Sequence, residues 1–167
     1  MTNDGVQSKI RDFLDDSGVD YEIFPCDPAL ADTAVFCERY GHPLDKSVNT
    51  ILVKAKTGGE RFVACALLAT TRLDVNKVVR KRLGARRVSF ASAGETRALT
   101  GMELGGVTPI SLPSGMELWI DARIAARDYV ILGGGNRSSK IKVDPAIFGH
   151  TPDTSIVEDL AFETPDE

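Results

Sequence analysis

The sequence predicts a single α+β domain, a mixed α/β fold in which helices pack around a central mixed β-sheet. Its 167 residues can close one hydrophobic core and are too few for two ordinary domains. Apolar residues recur at helical spacing in some segments and form short strand-like runs in others. No repeat or linker divides the chain. We place the domain at residues 1–149, followed by an acidic tail over residues 150–167 that we expect to be mobile, with a docking turn at residues 156–160 as the exception.

The predicted elements of the first half begin with a helix. Its apolar residues at helical spacing are Val6, Ile10, Phe13 and Leu14, and Gly18 ends it. A short strand over residues 21–24 follows, and Asp32 is the predicted N-cap of a second helix that ends near residue 40. A hairpin is predicted from strands over residues 48–53 and 61–68, joined by a Thr57-Gly58-Gly59 turn.

The predicted elements of the second half alternate between helices and strands. The helices are at residues 74–84, 92–99 and 144–148, and the strands are at residues 87–90, 117–121, 129–132 and 140–143. The first of these helices is amphipathic and basic, with Asp74 as its cap.

Several functional classes are disfavoured by composition. No apolar run approaches the ~18–20 residues that span a bilayer, and no signal peptide is visible, so we expect a cytoplasmic protein with no membrane partner. The three cysteines are odd in number, show no C-x-x-C pair, and are not clustered with the two histidines. This pattern disfavours a metal site and favours buried free thiols in a reducing compartment.

Charge is unevenly distributed along the chain. Residues 150–167 carry six acids and no Lys or Arg, which leaves 18 acids against 20 bases in the body. The basic residues of one short stretch are Arg72, Lys77, Arg80, Lys81, Arg82, Arg86 and Arg87. Such a cluster indicates a polyanion-binding surface, and an ordinary solvated helix face is the alternative.

Two glycine-rich segments, residues 101–109 and 133–139, are the most informative motifs. Glycine permits a positive φ and a close approach of a ligand to the backbone, and exposed N–H groups can bind an anion or a carbonyl oxygen. A long connecting turn is the alternative. The second segment is not a Walker loop, because its lysine opens a strand, and it does not match the G-x-G-x-x-G fingerprint, because position 138 is serine.

In order, these segments resemble the YbaK/prolyl-tRNA synthetase-associated domain family. The resemblance covers about residues 5–149. It is carried by Asp32-Thr33-Ala34, Thr50-Ile51-Leu52-Val53, Leu73-Asp74, Thr100-Gly101, Gly105-Gly106-Val107-Thr108-Pro109, Ile120-Asp121 and the 133–135 glycines. It implies a YbaK-like single domain that acts as a freestanding aminoacyl-tRNA deacylase, which hydrolyses the ester of mischarged tRNA.

The resemblance also implies a set of site residues and partners. The substrate loop is formed by Gly105, Gly106, Val107, Thr108 and Pro109, and the facing wall by Gly134 and Gly135. We add Asn136 and Arg137, which follow directly in the sequence, as further predicted substrate contacts. Asn49 and Thr50 occupy the catalytic positions, and the expected tRNA contacts are Arg80, Lys81, Arg86, Arg87 and Lys140. The implied partners are the aminoacylated 3′ end of tRNA and an aminoacyl-tRNA synthetase. No cofactor or metal is implied.

The sequence departs from the family pattern at Asn49, where active members usually carry a lysine before the threonine. Lys46 does not replace it, because a three-residue offset reverses the face of a strand. Loss of the charge would cost ~1.5–3 kcal/mol, or about one to two orders of magnitude in rate. We hypothesise that Arg137, with Lys140, supplies the missing charge. The alternative is a catalytically silent relative that binds an amino acid, a tRNA end or a protein.

Overall fold

A five-stranded mixed sheet forms the centre of the molecule. The computed structural model describes residues 3–56 and 61–163. The strands lie in the order β5 (Val88–Phe90), β2 (Val48–Ala55), β3 (Arg61–Leu68), β6 (Glu117–Asp121) and β9 (Thr154–Val157), with labels numbered along the chain. β2 is antiparallel to β3 and β5, whereas β6 is parallel to β3 and β9. The predicted fold class is confirmed.

Two smaller antiparallel sheets complete the β structure. One has the order β1 (Tyr21–Pro25), β8 (Ser139–Val143), β7 (Val130–Gly133), and the other pairs β4 (Thr71–Leu73) with β10 (Ala161–Glu163). A parallel bridge between Ser47 and Ile131 holds the beginning of β2 beside β7. This contact brings the second glycine-rich segment next to the central sheet.

The helices follow the predicted caps closely. They are α1 (Asn3–Ser17), α2 (Thr33–Tyr40), α3 (Arg80–Leu83), α4 (Ala93–Thr100) and α5 (Ala122–Ala125), and single 3₁₀ turns lie at Pro28–Leu30, Leu44–Lys46 and Pro145–Gly149. α4 begins with a capping box between Ser92 and Glu95. The predicted basic helix is only partly α-helical, because a π-helical turn at Val75–Val79 precedes α3. The predicted 57–59 turn lies outside the described residues.

The two faces of the central sheet bury separate cores, as the alternation of side chains along a strand requires. On one face Leu52 and Ile120 pack with Ile10 and Leu14 of α1. On the other face, which we call the α3 face, Val53 and Trp119 pack beneath Val79 and Leu83, and Ile51 and Val88 join at the edge of this core. The basic segment therefore covers one face of the sheet and α1 covers the opposite one.

The predicted mobile tail is corrected by the structure over residues 154–163. β9 extends the central sheet in parallel with β6, and β10 pairs with β4. Val157, Leu160 and Ala161 are buried, and the Ala161 amide donates to the Asp121 carboxylate at 2.9 Å. The acidic composition of the tail predicts mobility, but these few buried apolar residues are enough to fix its position. In the described part of the chain no helix is both long and apolar enough to cross a membrane.

The prediction of buried free thiols is confirmed. Cys26, Cys37 and Cys65 are free and buried. Burial raises the pKa of Cys65 to about 12, so its thiol stays protonated at neutral pH.

Candidate functional site

A cavity of about 390 Å³ opens where β2, α2 and the two glycine-rich segments meet. Its lining consists of Asp32, Thr33, Ala34, Val48, Asn49, Thr50, Ile51, Leu104, Gly105, Val107, Gly133 and Lys140. β5 pairs only with the second half of β2, from Val53 to Ala55. The first half of β2 therefore has an edge that β5 leaves open, and this edge forms one wall of the cavity.

The two glycine-rich segments pack against each other, backbone to backbone. The Gly135 amide donates to the Gly106 carbonyl at 2.6 Å. A Cβ at Gly106 would lie 2.0 Å from the Asn136 carbonyl oxygen, and one at Gly133 would lie 2.5 Å from the Val107 oxygen. Glycine is required at these positions because the opposite main chain occupies the space of a side chain. The glycine content predicts that something approaches the backbone closely. The structure confirms this, and each segment is approached by the main chain of the other.

Arg137 joins three segments at the rim of the cavity. Its guanidinium donates to the carbonyls of Pro28 at 3.0 Å and Leu104 at 2.8 Å, and to the Asp32 carboxylate at 3.1 Å. Asp32 precedes α2 as predicted, but its side chain makes no capping bond and pairs with Arg137 instead. Arg137 thus connects the segments around the cavity, a role that we call a clamp, and it is not among the residues that line the cavity.

Gly105 is constrained by the same clamp. It has φ +86°, a conformation that favours glycine, and a Cβ there would meet the Arg137 guanidinium nitrogen at 2.1 Å. The Gly105 carbonyl faces the opposite way into a hydrogen bond with Lys140. This residue therefore links the rim to the interior of the site.

Lys140 lies inside the site and not on its rim. The residue is 5% exposed, and its ammonium donates to the carbonyls of Ala31 at 2.7 Å and Gly105 at 2.9 Å, with the Phe36 ring 5.2 Å away. Burial lowers the pKa of Lys140. Lys140 is therefore not an exposed surface cation, and its assignment as a tRNA contact stays a prediction. Lys140 instead presents a positive charge to the cavity.

Asn49 and Thr50 lie together on the open edge of β2. The Asn49 side-chain oxygen accepts a hydrogen bond from the Thr33 hydroxyl, which ties β2 to the beginning of α2. The Thr50 hydroxyl is buried, and within the described residues it has no hydrogen-bond partner. Lys46 binds Asp128 at 2.8 Å and sits over the Tyr129 ring, away from the cavity lining. It does not replace the missing lysine, as the strand offset predicted.

Two residues of the first glycine-rich segment line the cavity and have backbone amides that are not used in a hydrogen bond among the described residues. The Gly106 amide bonds to Glu103 and the Thr108 amide to the Met102 sulfur. For the amides of Gly105 and Val107, which both line the cavity, the described residues offer no acceptor. Two unused N–H groups beside a buried ammonium suit a carbonyl oxygen or an oxyanion.

The other predicted site residues divide into two groups. The first group belongs to the two packed glycine-rich segments but does not line the cavity, and consists of Gly106, Thr108, Gly134, Gly135, Asn136 and Arg137. The second group is Pro109 alone. Pro109 faces a separate cavity of about 200 Å³ beside Phe13. Sequence reasoning did not identify Thr33, Ala34, Val48 and Ile51 as lining residues. Their segments carried the family resemblance, but strand and helix orientation decides which side chains point inward.

The remaining predicted tRNA contacts lie on the α3 face of the molecule. Arg80 and Lys81 belong to α3, and Arg86 and Arg87 precede β5. Lys81, Arg86 and Arg87 are exposed, whereas Arg80 is half-buried and donates to the Asn76 carbonyl. We call these four residues the basic surface.

Comparisons with known proteins agree with this geometry. The structure is similar to that of the hypothetical protein APE2540, with a TM-score of 0.79, 23% identity, and coverage of 92% of this chain and 99% of the other. It is also similar to a candidate trans-editing enzyme for prolyl-tRNA synthetase, with a TM-score of 0.77, 17% identity, and coverage of 95% and 98%. At these identities the likeness shows the fold.

The sequence itself provides the family assignment. The family model of the aminoacyl-tRNA editing domain matches residues 27–148, a range that contains every residue of the cavity lining. The resemblance inferred from the ordered motifs is thereby confirmed. This chain belongs to the aminoacyl-tRNA editing domain family.

Proposed function

We propose that the protein is a freestanding aminoacyl-tRNA deacylase that hydrolyses the ester of mischarged tRNA. The observation that carries this proposal is a cavity lined by the buried Lys140 and by Gly105 and Val107, whose amides have no acceptor among the described residues. An ester carbonyl placed there gains negative charge during attack by water, and preorganised donors in a site of low dielectric stabilise that charge. Family membership supplies the substrate class.

In the proposed reaction, water adds to the ester carbonyl carbon and the bond to the ribose oxygen breaks. The ribose oxygen takes up the proton that the water releases, which yields the free amino acid and an uncharged tRNA end. Thr50 lines the cavity and its buried hydroxyl has no hydrogen-bond partner among the described residues, so rotation of the side chain toward the cavity would let it hold the attacking water. Lys140 provides the charge that the family usually draws from the position of Asn49.

The first test replaces Asn49 with lysine and measures deacylation of tRNAs charged with alanine, serine, cysteine or proline. The unmodified protein is expected to hydrolyse at least one of these esters. Because Lys140 already provides an ammonium, Asn49→Lys is expected to change that rate by less than about tenfold, well below the one to two orders of magnitude of a newly acquired charge. Asn49→Ala, which removes the bond to Thr33 without adding a charge, is the matched control.

A catalytically silent binding protein is the second candidate, and Asn49 is the observation that favours it. In this case the unmodified protein would hydrolyse none of the esters, and activity would appear only in Asn49→Lys. That pair of results would refute the deacylase proposal. Turnover by the unmodified protein would refute the silent alternative.

Binding of tRNA is proposed to use the basic surface. Replacement of Arg80, Lys81, Arg86 and Arg87 by alanine is expected to weaken tRNA binding and to flatten its dependence on salt. Each lost phosphate contact lowers the slope of log K against log salt by ~0.9. Affinity measured at four salt concentrations provides the slope. A Lys9→Ala/Arg11→Ala variant changes exposed charges on α1, on the opposite face of the sheet, and should leave the slope unchanged.

A further inference from the structure

A second, larger cavity of about 900 Å³ lies on the α3 face, between the π-helical turn, β5 and β10. We call it the aromatic groove. Two phenylalanine rings line it and are strongly exposed, Phe90 at 56% and Phe162 at 45%. Val88 and Leu73 form part of its floor and belong to the core beneath. Exposed rings of this size in one groove indicate a binding site, because burying them in a ligand would recover their hydrophobic free energy.

Basic side chains surround these rings. Arg72 and Lys77 line the groove and are exposed, and Arg72 stands directly opposite Phe162 in the pairing of β4 with β10. Asp74 is the acidic residue of the lining, and its carboxylate accepts the Lys77 amide as a helix cap. Arg86 and Arg87 come immediately before β5. A groove that combines flat apolar rings with cations matches a ligand of flat bases and phosphates, not an apolar peptide.

The aromatic groove and the proposed active site lie close together along the edge of β2. Ile51 lines the deacylation cavity, and Val53, two residues further along β2, pairs with Phe90. Strand geometry puts Phe90 about 7 Å along and about 5 Å across from Ile51. Cross-strand partners point to the same face, so Phe90 and Ile51 both belong to the α3 face. A chain that leaves the cavity along this face meets Phe90 within about one or two nucleotides.

We propose that the aromatic groove binds unpaired RNA nucleotides, whose bases stack on Phe90 and Phe162 while Arg72 and Lys77 contact the phosphates. This inference rests on the proposed function, because the unpaired 3′ end of tRNA would be the RNA that extends from the cavity. The groove then positions the nucleotides that precede the terminal adenosine. Recognition is by stacking, which tolerates different bases.

The test measures the binding of a fluorescein-labelled eight-nucleotide oligocytidine RNA by fluorescence anisotropy. Phe90→Ala and Phe162→Ala are each expected to weaken binding about tenfold, the size of one lost base–aromatic stack, with the salt slope unchanged. Arg72→Ala and Lys77→Ala are each expected to lower the salt slope by ~0.7, the value for one phosphate contact to a single strand. The two signatures separate stacking from charge.

Two controls keep the result interpretable. Ile156→Ala removes an apolar side chain of similar exposure, 51%, from β9 at the opposite edge of the sheet, and should bind RNA like the unmodified protein. Phe90→Tyr keeps a ring that can stack and should retain affinity, whereas Phe90→Leu keeps only the apolar volume and should lose it.

Several outcomes would overturn the inference. It fails if the unmodified protein does not bind the RNA, if the phenylalanine variants bind as well as Ile156→Ala, or if Phe90→Leu binds as tightly as Phe90→Tyr. Unchanged RNA affinity in the phenylalanine variants would refute RNA stacking in the groove and leave a protein partner as the alternative occupant. The RNA carries no amino acid, so its binding is independent of ester hydrolysis. If the phenylalanine variants bind RNA more weakly but the unmodified protein hydrolyses no ester, the RNA-binding role of the groove is supported and the deacylase proposal is refuted.

Discussion

Replacement of Lys140 by methionine is expected to lower kcat/KM for hydrolysis of the mischarged tRNA by about 10- to 100-fold. Methionine keeps most of the length and apolar volume of the side chain but removes the ammonium that bonds Ala31 and Gly105. A hydrogen bond to a charged group contributes ~1.5–3 kcal/mol, and each ~1.4 kcal/mol lost from the transition state slows the reaction tenfold. Steady-state hydrolysis of the best substrate from the charged panel measures the effect.

A neighbouring lysine provides the control for this variant. Lys142 lies two residues further along β8, with its ammonium 4.5 Å from the centre of the Tyr129 ring. Lys142→Met makes the same chemical change outside the cavity lining and should leave kcat/KM within about twofold, since this residue is only half-buried and the ring that its ammonium contacts, Tyr129, does not line the cavity. A second variant, Asn49→Lys with Lys140→Met, should recover part of the rate. Full activity in Lys140→Met alone would show that its charge is not used.

Replacement of Gly106 by alanine is expected to destabilise the native state by about 3 kcal/mol or more. The new Cβ would lie 2.0 Å from the Asn136 carbonyl oxygen, and a main-chain atom cannot rotate away as a flexible side chain does. Overpacking of a core costs ~1–3 kcal/mol, and here the two glycine-rich segments would have to separate. The Gly135–Gly106 hydrogen bond would be lost with that movement. Urea unfolding followed by circular dichroism measures the change.

Gly94 supplies the matched control for the same substitution. It lies inside α4, where the nearest atom to an added Cβ is the Ser92 hydroxyl at 3.9 Å. Alanine there should stabilise the protein by ~0.5–1 kcal/mol, because glycine is the poorer helix former. If Gly106→Ala and Gly94→Ala unfolded at the same urea concentration, close packing of the two segments would not be a source of stability.

The ordered motifs predicted the fold, most of the elements and the two segments that meet at the cavity. The strand and helix assignments rested on local patterns, which is why their ends agree with the structure to within a few residues. The sequence did not predict β4 and β10, because each is three residues long and they pair only with each other. The tail was misjudged for the related reason that its strands depend on partners far away in the chain.

The glycine segments illustrate a different limit of sequence reasoning. Composition indicates that something approaches the backbone closely, but it does not say whether this is a ligand or another part of the chain. Gly106 faces main chain only, Gly105 and Val107 line the cavity, and Gly133 does both. Only the packing of two segments about thirty residues apart distinguishes these roles.

The departure from the family pattern at Asn49 best separates what the sequence determines from what the tertiary structure determines. The sequence by itself determined the family, the absence of the usual lysine and the presence of Arg137 and Lys140 in the second glycine-rich segment. Tertiary structure alone decided that Arg137 clamps the rim while Lys140 enters the cavity. The reason is physical: a residue type specifies a charge, but the charge acts where the fold removes water and brings its partners within hydrogen-bond distance. Those partners, Ala31 and Gly105, come from segments far from Lys140 in the chain.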